Sequence, residues 1–184
     1  AASKAALMAL LTGKEQNSST ISLPSGERIT LPVIQTEVRN DSATCSVVKD
    51  AGDDPDVTNG CTINATVAYS KQTGIQFLAG KGVGKVTLPG LGLEIGGPAI
   101  NATPRKMITN ELTSLYSGGL SITISVPEGE TIAKRTFNPK LGVVGGISII
   151  GTSGIVKPFS SEAFIRSIRK EIEVAKALGI EHLV

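Results

Sequence analysis

The chain has 184 residues, 40% of them hydrophobic, which is enough to bury the core of one domain or of one domain and part of another. Its 18 basic and 16 acidic residues nearly cancel, which argues against the broad positive field of proteins that bind nucleic acid or anionic membranes. No apolar run reaches the roughly 20 residues of a membrane span, and no signal-peptide pattern opens the chain. We therefore expect a cytoplasmic protein with no membrane and no nucleic-acid partner.

The first part of the chain predicts a helix followed by two hairpins. Residues 1–14 are rich in alanine and leucine, and Gly13 is expected to end the helix that they form. Two strand-like runs flank the turn residues 24–26, and two more flank Asn40 and Asp41. Antiparallel hairpins are the simplest interpretation of both pairs.

The middle of the chain predicts further strands and a second helix. Residues 63–69 alternate between apolar and polar side chains, as a strand with one buried face does, and residues 120–126 repeat this pattern. Thr103 is expected to cap a helix with Pro104 in its first position. The apolar face of that helix would comprise Met107, Ile108, Leu112 and Leu115.

The last part has the character of an α/β protein. Residues 142–151 are apolar or glycine, which predicts a strand buried on both faces, and a helix follows that Ser160 or Ser161 caps and Gly179 ends. Residues 180–184 would begin a strand parallel to the first. The predicted fold class is thus α+β, with a mixed, largely antiparallel sheet over residues 1–141, followed by the truncated start of a βαβ second domain over 142–184.

Four aspartates lie close together in one short segment, Asp50, Asp53, Asp54 and Asp56. Carboxylates this close raise the pKa of at least one of them if the loop is partly buried, so these residues are candidates for catalytic acid/base work. The alternative is a solvated acidic turn. The spacing does not match a calcium loop, and a magnesium site generally needs further ligands, so we predict no metal held by the protein.

A glycine-rich segment at 80–97 holds seven of the 21 glycines. Backbone without Cβ atoms can approach a flat ligand closely, and basic side chains lie within or after the segment, which would suit a polycarboxylate. The candidates are Gly80, Lys81, Gly82, Gly84, Lys85, Arg105 and Lys106. Flexible turns with exposed lysines are the alternative.

A third candidate is the small-residue loop of Gly151, Thr152, Ser153 and Gly154, which follows the predicted buried strand. Ligands of open α/β sheets bind at such loops, although an ordinary strand-to-helix connection is the alternative. The chain lacks both G-x-G-x-x-G and P-loop spacing, which disfavours a nucleotide-binding domain. Cys45 and Cys61 are predicted to be small buried hydrophobes, and His182 a packed or strand-edge residue rather than a catalytic one.

Four long motifs occur in a fixed order: VVKDAGDDPDVTNG, GKGVGKVTLPGLGLEIGGPAIN, ISVPEGETIAKRTFNPKLGVVGGISIIGTSGIVKPFS and SEAF. In this order they resemble the cobalt-precorrin-5B C1-methyltransferase family of anaerobic cobalamin biosynthesis. Two features of that family are missing, an Arg-x-Gly-Tyr-Thr-Thr-Gly stretch before the first helix and an α/β half after the present end. A truncated chain is therefore expected.

The resemblance implies a methyltransferase that uses S-adenosylmethionine as cofactor and methylates C1 of cobalt-precorrin-5B to give cobalt-precorrin-6A. Cobalt would arrive only as part of that tetrapyrrole, whose carboxylates would pair with Lys81, Lys85, Arg105, Lys134 and Arg135. The loop at Gly151 to Gly154 would border the cofactor. The alternative is a tetrapyrrole-binding module whose cofactor site lies in the absent carboxyl-terminal part, and a homo-oligomer is left open.

Overall fold

The structure is a computed structural model that describes residues 1–156 and 158–182. Within these residues the helices are α1 (Ala2–Thr12), α2 (Ala102–Thr113), α3 (Gly129–Ala133) and α4 (Ser161–Ala177). The longer strands are β1 (Ser18–Ser22), β2 (Arg28–Pro32), β3 (Gln35–Val38), β4 (Ser42–Val48), β5 (Thr62–Tyr69), β6 (Ile75–Ala79) and β9 (Leu120–Ser125). Four strands of two residues complete the set, β7 (Gly82–Val83), β8 (Lys85–Val86), β10 (Val143–Val144) and β11 (Gly146–Ile147).

The main sheet has five strands in the order β3-β4-β5-β9-β6. Neighbouring strands run antiparallel except β6 and β9, which run parallel. Ala65 lies opposite Cys45 on one side and Ile124 on the other, so the apolar positions of three strands form rows on one face. The predicted α+β class with a largely antiparallel sheet is confirmed, as are both predicted hairpins.

Helix α1 covers the apolar face of this sheet. Its buried side is mostly alanine, with Leu7 fully buried, and small side chains let the helix approach strands β4 and β5 closely. The helix ends as predicted, because Gly13 adopts a left-handed conformation and its N–H bonds to the carbonyl of Ala9. Cys45 and Cys61 are free and buried, again as predicted.

A second layer packs beside the end of the sheet. Strand β7 pairs in parallel with β11, and β8 pairs antiparallel with β10, around the buried residues Val86, Ala99 and Val143. The prediction of one strand buried on both faces over 142–151 is wrong. Gly145 has a φ of 82° and separates β10 from β11, and Val144 and Ile150 are exposed.

Helix α2 begins earlier than the sequence predicts. Asn101 occupies the cap position and makes no side-chain capping hydrogen bond, so Thr103 is already inside the helix and is not its cap. Pro104 is tolerated in the first turn because the amides there have no partner within the helix. Of the predicted apolar face only Leu112 is fully buried, and Leu115 is exposed.

Helix α4 has the ends that the sequence predicts. The Ser160 hydroxyl accepts a hydrogen bond from the Ala163 amide, and Gly179 adopts a left-handed conformation just after the helix. The strand expected at 180–184 is not seen at 180–182, where His182 is exposed, and Leu183 and Val184 lie outside the described residues. The division into two domains at residue 142 remains a prediction.

No helix in the described ranges combines the length and the hydropathy that a bilayer crossing requires.

Candidate functional site

Three loops meet at one edge of the main sheet. The pairing places Val48 opposite Thr62, and Ala79 opposite Ile124, so β4, β6 and β9 all end at the edge where β5 begins. The loops that follow these strands are residues 49–61, 80–84 and 126–129, and together we call them the sheet-edge site. The acidic segment and the glycine-rich segment, 30 residues apart in sequence, are therefore brought to the same edge.

The acidic loop is held by an ion pair at its base. Lys49, the residue after β4, donates to the carboxylate of Asp56 and to the hydroxyl of Thr58. Asp56 also accepts from the Thr58 amide at 2.7 Å and from the Thr58 hydroxyl at 2.6 Å. The Ala51 amide donates to the side-chain oxygen of Asn59 at 2.9 Å, which ties the two sides of the loop together.

These contacts decide the charge of Asp56. Partial burial acts to raise the pKa of its carboxyl, but the hydrogen bonds from Lys49 and Thr58 outweigh burial and hold the pKa below its usual value. Asp56 is therefore an anion at neutral pH and a poor proton acceptor. Its hydrogen bonds with Lys49 and Thr58 give it a structural role, which is to hold the base of the loop.

The other three aspartates point to different partners. Asp50 accepts from the Gly52 amide at 2.8 Å, which forms a tight turn inside the loop, while Asp53 is exposed. Asp54 accepts from the backbone amide of Phe159 at 3.2 Å and so connects the acidic loop to the segment that precedes α4.

A cavity of about 320 Å³ opens beside this loop. Its lining consists of Val57, Asn59, Gly60, Cys61, Thr62, Glu128 and Ile132. Burial, and then the negative charge of Glu128, raise the pKa of the Cys61 thiol, which therefore stays protonated at neutral pH. Sequence reasoning missed Glu128, Asn59 and Thr62 as site residues, because only the strand pairing places them side by side.

The predicted glycines are needed for packing within the protein. A Cβ atom on Gly82 would lie 1.8 Å from the Val126 carbonyl oxygen, and one on Gly80 would lie 2.0 Å from the Ser125 hydroxyl. A Cβ on Gly84 would lie 2.3 Å from a methyl group of Val143. The open backbone that the sequence led us to expect is therefore not seen at these three positions, because neighbouring loops fill the space.

The predicted basic residues divide into two groups. Arg105 is already engaged, because its guanidinium donates to the carbonyls of Ile100 and Pro98 at 2.7 and 3.1 Å and lies 5.4 Å from the centre of the Phe77 ring. The others are exposed and form no ion pair with any residue that the structure describes: Lys81, Lys85, Lys106, Lys134 and Arg135. Lys81 adjoins the sheet-edge site directly, since its carbonyl accepts from the Val126 amide at 2.8 Å.

A second cavity, of about 200 Å³, lies between α1, β1, α2 and the loop at 150–154. Gly151 and Gly154 from the predicted cofactor loop line it, mostly with apolar neighbours. Thr152 is exposed, and the Ser153 hydroxyl instead donates to the Ile155 carbonyl at 2.8 Å.

The charged pair in this second cavity is Lys4 and Glu111, which lie 2.6 Å apart. Partial burial acts to raise the pKa of Glu111, but hydrogen bonds from Lys4 and from the Ser22 amide prevail and lower it. The Glu111 carboxylate therefore carries a charge that Lys4 neutralises.

Among the described residues, no group of three or more histidine, cysteine, aspartate or glutamate side chains is arranged to hold a metal ion.

The chain resembles proteins of one family over most of its length. A family model described as CbiD matches residues 1–158. A protein of Geobacillus sp. (strain WCH70), described as a cobalt-precorrin-5B C(1)-methyltransferase, is 50% identical over 189 aligned residues, which cover 100% of this chain and 52% of the relative. A protein of Salinispora arenicola with the same description is 50% identical over 182 residues, covering 97% of this chain and 48% of the relative.

One solved structure agrees with these matches. The 1.9 Å crystal structure of the cobalamin biosynthesis protein cbiD from Archaeoglobus fulgidus superposes with a TM-score of 0.61 at 30% sequence identity. The superposition covers 91% of this chain and 55% of that one. This chain therefore spans about half the length of the relatives that it matches.

Proposed function

The chain belongs to the CbiD family, and from this premise we propose that it takes part in the methylation of C1 of cobalt-precorrin-5B, with S-adenosylmethionine as donor, to give cobalt-precorrin-6A. The observation that carries the proposal is the 50% identity, over the whole chain, to proteins described as cobalt-precorrin-5B C(1)-methyltransferases. The reaction would take place in the cytoplasm, with cobalt present only as part of the substrate.

The sheet-edge site is the proposed place for the tetrapyrrole. The peripheral carboxylates of the tetrapyrrole would pair with exposed cations that have no acidic partner in the described part of the chain. These are Lys81 within the site, Lys85 directly after the 80–84 segment, and Lys134 and Arg135 directly after α3. Arg105 would contribute indirectly, because it holds the 98–100 backbone and packs on Phe77. Holding the macrocycle in one orientation is the main catalytic task of these residues, since methyl transfer depends on the alignment of the reacting atoms.

The residues around the second cavity fit the apolar part of S-adenosylmethionine. Met107, Ile108 and Ile150 offer an apolar surface for the adenine ring, and Gly151 has open space where a side chain would lie. Glu111 is already neutralised by Lys4, so we do not assign it to the positively charged end of the cofactor. When bound, S-adenosylmethionine supplies an electrophilic methyl group.

The acidic loop is the proposed place for proton handling. Transfer of a methyl cation from the sulfonium adds one positive charge to the macrocycle, and loss of a ring proton to a carboxylate beside it would remove that charge. Asp53 and Asp54 are our candidates, with Asp50 supporting the turn and Asp56 holding the loop.

A second candidate function is a tetrapyrrole-binding module with no catalysis of its own. The length of the relatives favours it, because about half of each lies outside the match and that half could carry the cofactor site.

Product mass distinguishes the two functions. The chain is mixed with cobalt-precorrin-5B and S-adenosylmethionine carrying a deuterated methyl group, and the tetrapyrrole is analysed by mass spectrometry. Gain of one labelled methyl supports the enzyme. An absorbance change on mixing with the tetrapyrrole alone, without methyl transfer, supports the binding module. If the chain neither binds the tetrapyrrole nor transfers the methyl group, both candidate functions are contradicted.

A further inference from the structure

Helix α4 exposes a row of large apolar side chains, Phe164, Ile165, Ile168 and Ile172. Their exposed fractions are 65%, 47%, 42% and 46%. The spacing of four residues between Phe164, Ile168 and Ile172 puts these side chains on one side of the helix, with Ile165 beside them. We call these four residues the α4 apolar face.

The helix makes little contact with the rest of the described chain. Only Val174 and Ala175 are buried, and neither belongs to a hydrophobic core cluster of the described residues. The contact is made near the end of the helix, where the backbone at Gly90 approaches so closely that a Cβ atom on it would lie 2.7 Å from the Val174 Cα. The four side chains of the α4 apolar face all remain exposed beside this contact.

The polar side of α4 argues against a charged surface as its partner. Four basic and three acidic residues are spread along the helix, and Arg166 pairs with Glu162 and Lys170 with Glu173. Such mixed charge is typical of a side that faces water and gives no strong attraction to an anionic membrane. We therefore expect a partner of α4 to contact the apolar side of the helix.

The relatives of this chain carry further polypeptide that can serve as such a partner. The family model ends its match at residue 158, just before α4, whereas the relatives align with the whole chain and are about twice as long. Helix α4 is thus shared with the relatives but lies beyond the unit that the family model describes.

We propose that the α4 apolar face is an interdomain surface, and that its occupant is the part of the polypeptide that the relatives carry outside the matched region. Covering four large apolar side chains removes apolar surface from water, which favours docking of a helix that its own unit leaves exposed. The inference does not depend on the proposed reaction.

Hydrogen–deuterium exchange tests the proposal. Exchange of the amides of residues 161–177 in this chain is compared with exchange of the aligned segment in the full-length Geobacillus sp. (strain WCH70) protein. We expect exchange in the relative to be at least roughly tenfold slower, because a covered helix opens less often. The segment aligned with α1 serves as reference, since α1 is buried within the matched unit. Equal exchange of α4 in the two proteins, relative to α1, would overturn the proposal.

Two variants of the relative distinguish the effect of covering the α4 apolar face from a general loss of stability. Glutamate at the position aligned with Ile168 should restore fast exchange in the α4 segment, whereas glutamate at the position aligned with Ala163, on the opposite side of the helix, should not. Identical effects of the two substitutions would contradict the proposal. Light scattering of this chain gives the remaining outcome: a dimer that Ile168→Glu dissociates would make a second copy the occupant and would also overturn it.

Discussion

Asp56 differs from its neighbours in the acidic loop because it has a cationic partner. Lys49 and Thr58 surround its carboxylate, whereas Asp53 is exposed and Asp50 and Asp54 bond to backbone amides. The four residues look equivalent in sequence, so only the folded loop separates the structural carboxylate from those that remain candidates for chemistry.

The lowered pKa of Asp56 makes part of the stability depend on pH. A carboxyl whose pKa is lower in the folded than in the unfolded protein stabilises the fold above its unfolded pKa, near 3.9, and the contribution is lost as pH falls through the folded pKa. We expect Asp56→Asn to lower the free energy of unfolding at pH 7 by about 1 to 2 kcal/mol, and the difference from the parent to shrink below about pH 4. Urea unfolding at pH 7, 5, 4 and 3 measures this.

The matched control is Asp53→Asn, at an exposed carboxylate of the same loop. It should change the free energy of unfolding by no more than about 0.5 kcal/mol at any of these pH values. If the Asp56 and Asp53 variants gave the same pH profile, the ion pair with Lys49 would not be the cause.

The proposed proton handling gives a prediction for Asp53, which is exposed, and for Asp54, which is half-buried. Changing both Asp53 and Asp54 to Asn should lower kcat by at least about 100-fold, because removal of a general base commonly costs that much. The test is methyl transfer measured under the conditions of the product-mass experiment.

Asp41→Asn, in the exposed turn between β3 and β4, is the control for removing a surface charge and should leave kcat unchanged. Full turnover by the Asp53 and Asp54 double variant would leave a solvated turn as the interpretation of this part of the loop.

At the scale of elements, glycine sets how closely the sheet-edge loops pack. Gly82 has a φ of 74°, and its α-carbon faces the Val126 carbonyl so closely that a side chain has no room. Gly129 and Gly146 also approach Gly82 closely, so β7, the start of α3 and β11 cross at one point. The glycine-rich composition was correctly noticed in the sequence, but its cause is this crossing rather than an open surface for ligand.

Gly82→Ala should therefore be strongly destabilising. A left-handed conformation costs an alanine about 1 to 2 kcal/mol, and overpacking against Val126 adds about 1 to 3 kcal/mol. At Gly92, φ is 69° and nothing lies within 4 Å of an added Cβ atom, so Gly92→Ala should cost only the about 1 to 2 kcal/mol of the left-handed conformation. Urea unfolding followed by circular dichroism compares the two. Equal losses would show that close packing at Gly82 contributes nothing.

Helix and strand positions were predicted well where the pattern is local. Period-two alternation located β5 and β9, and glycine located the ends of α1 and α4. The start of α2 was misplaced by two residues, because Thr103 followed by Pro104 was preferred as the cap, whereas Asn101 occupies that position in the structure. Parallel pairing of β6 with β9 was not predicted, since a strand pattern does not reveal its partner.

At the scale of the whole molecule, the distribution of charge matters more than the net charge of +2. If Lys134 and Arg135 bind substrate carboxylates, changing both to Ala should weaken binding of cobalt-precorrin-5B about tenfold, from roughly 0.7 kcal/mol for each partly screened contact. The same variant should show a smaller loss of affinity than the parent when salt is raised, because fewer ionic contacts remain to be screened. Absorbance titration at two salt concentrations measures both effects.

Lys14 and Lys71 provide the control, because they are exposed, follow α1 and β5 rather than the segments of the sheet-edge site, and give the same charge change when replaced by Ala. Equal weakening by the two double variants would indicate a general effect of charge and remove Lys134 and Arg135 from the proposed site.

The sequence by itself determined the family, the α+β class and most of the local elements, because ordered motifs, alternation and turn residues are properties of neighbouring positions. Tertiary structure decided the rest: the partner of Asp56, the crossing at Gly82, the cavity beside Glu128 and the exposed face of α4. Most of these depend on strand register and on packing between segments distant in the chain. A local sequence pattern does not specify which distant segment a given strand or loop will contact, so such contacts are seen only in the folded molecule.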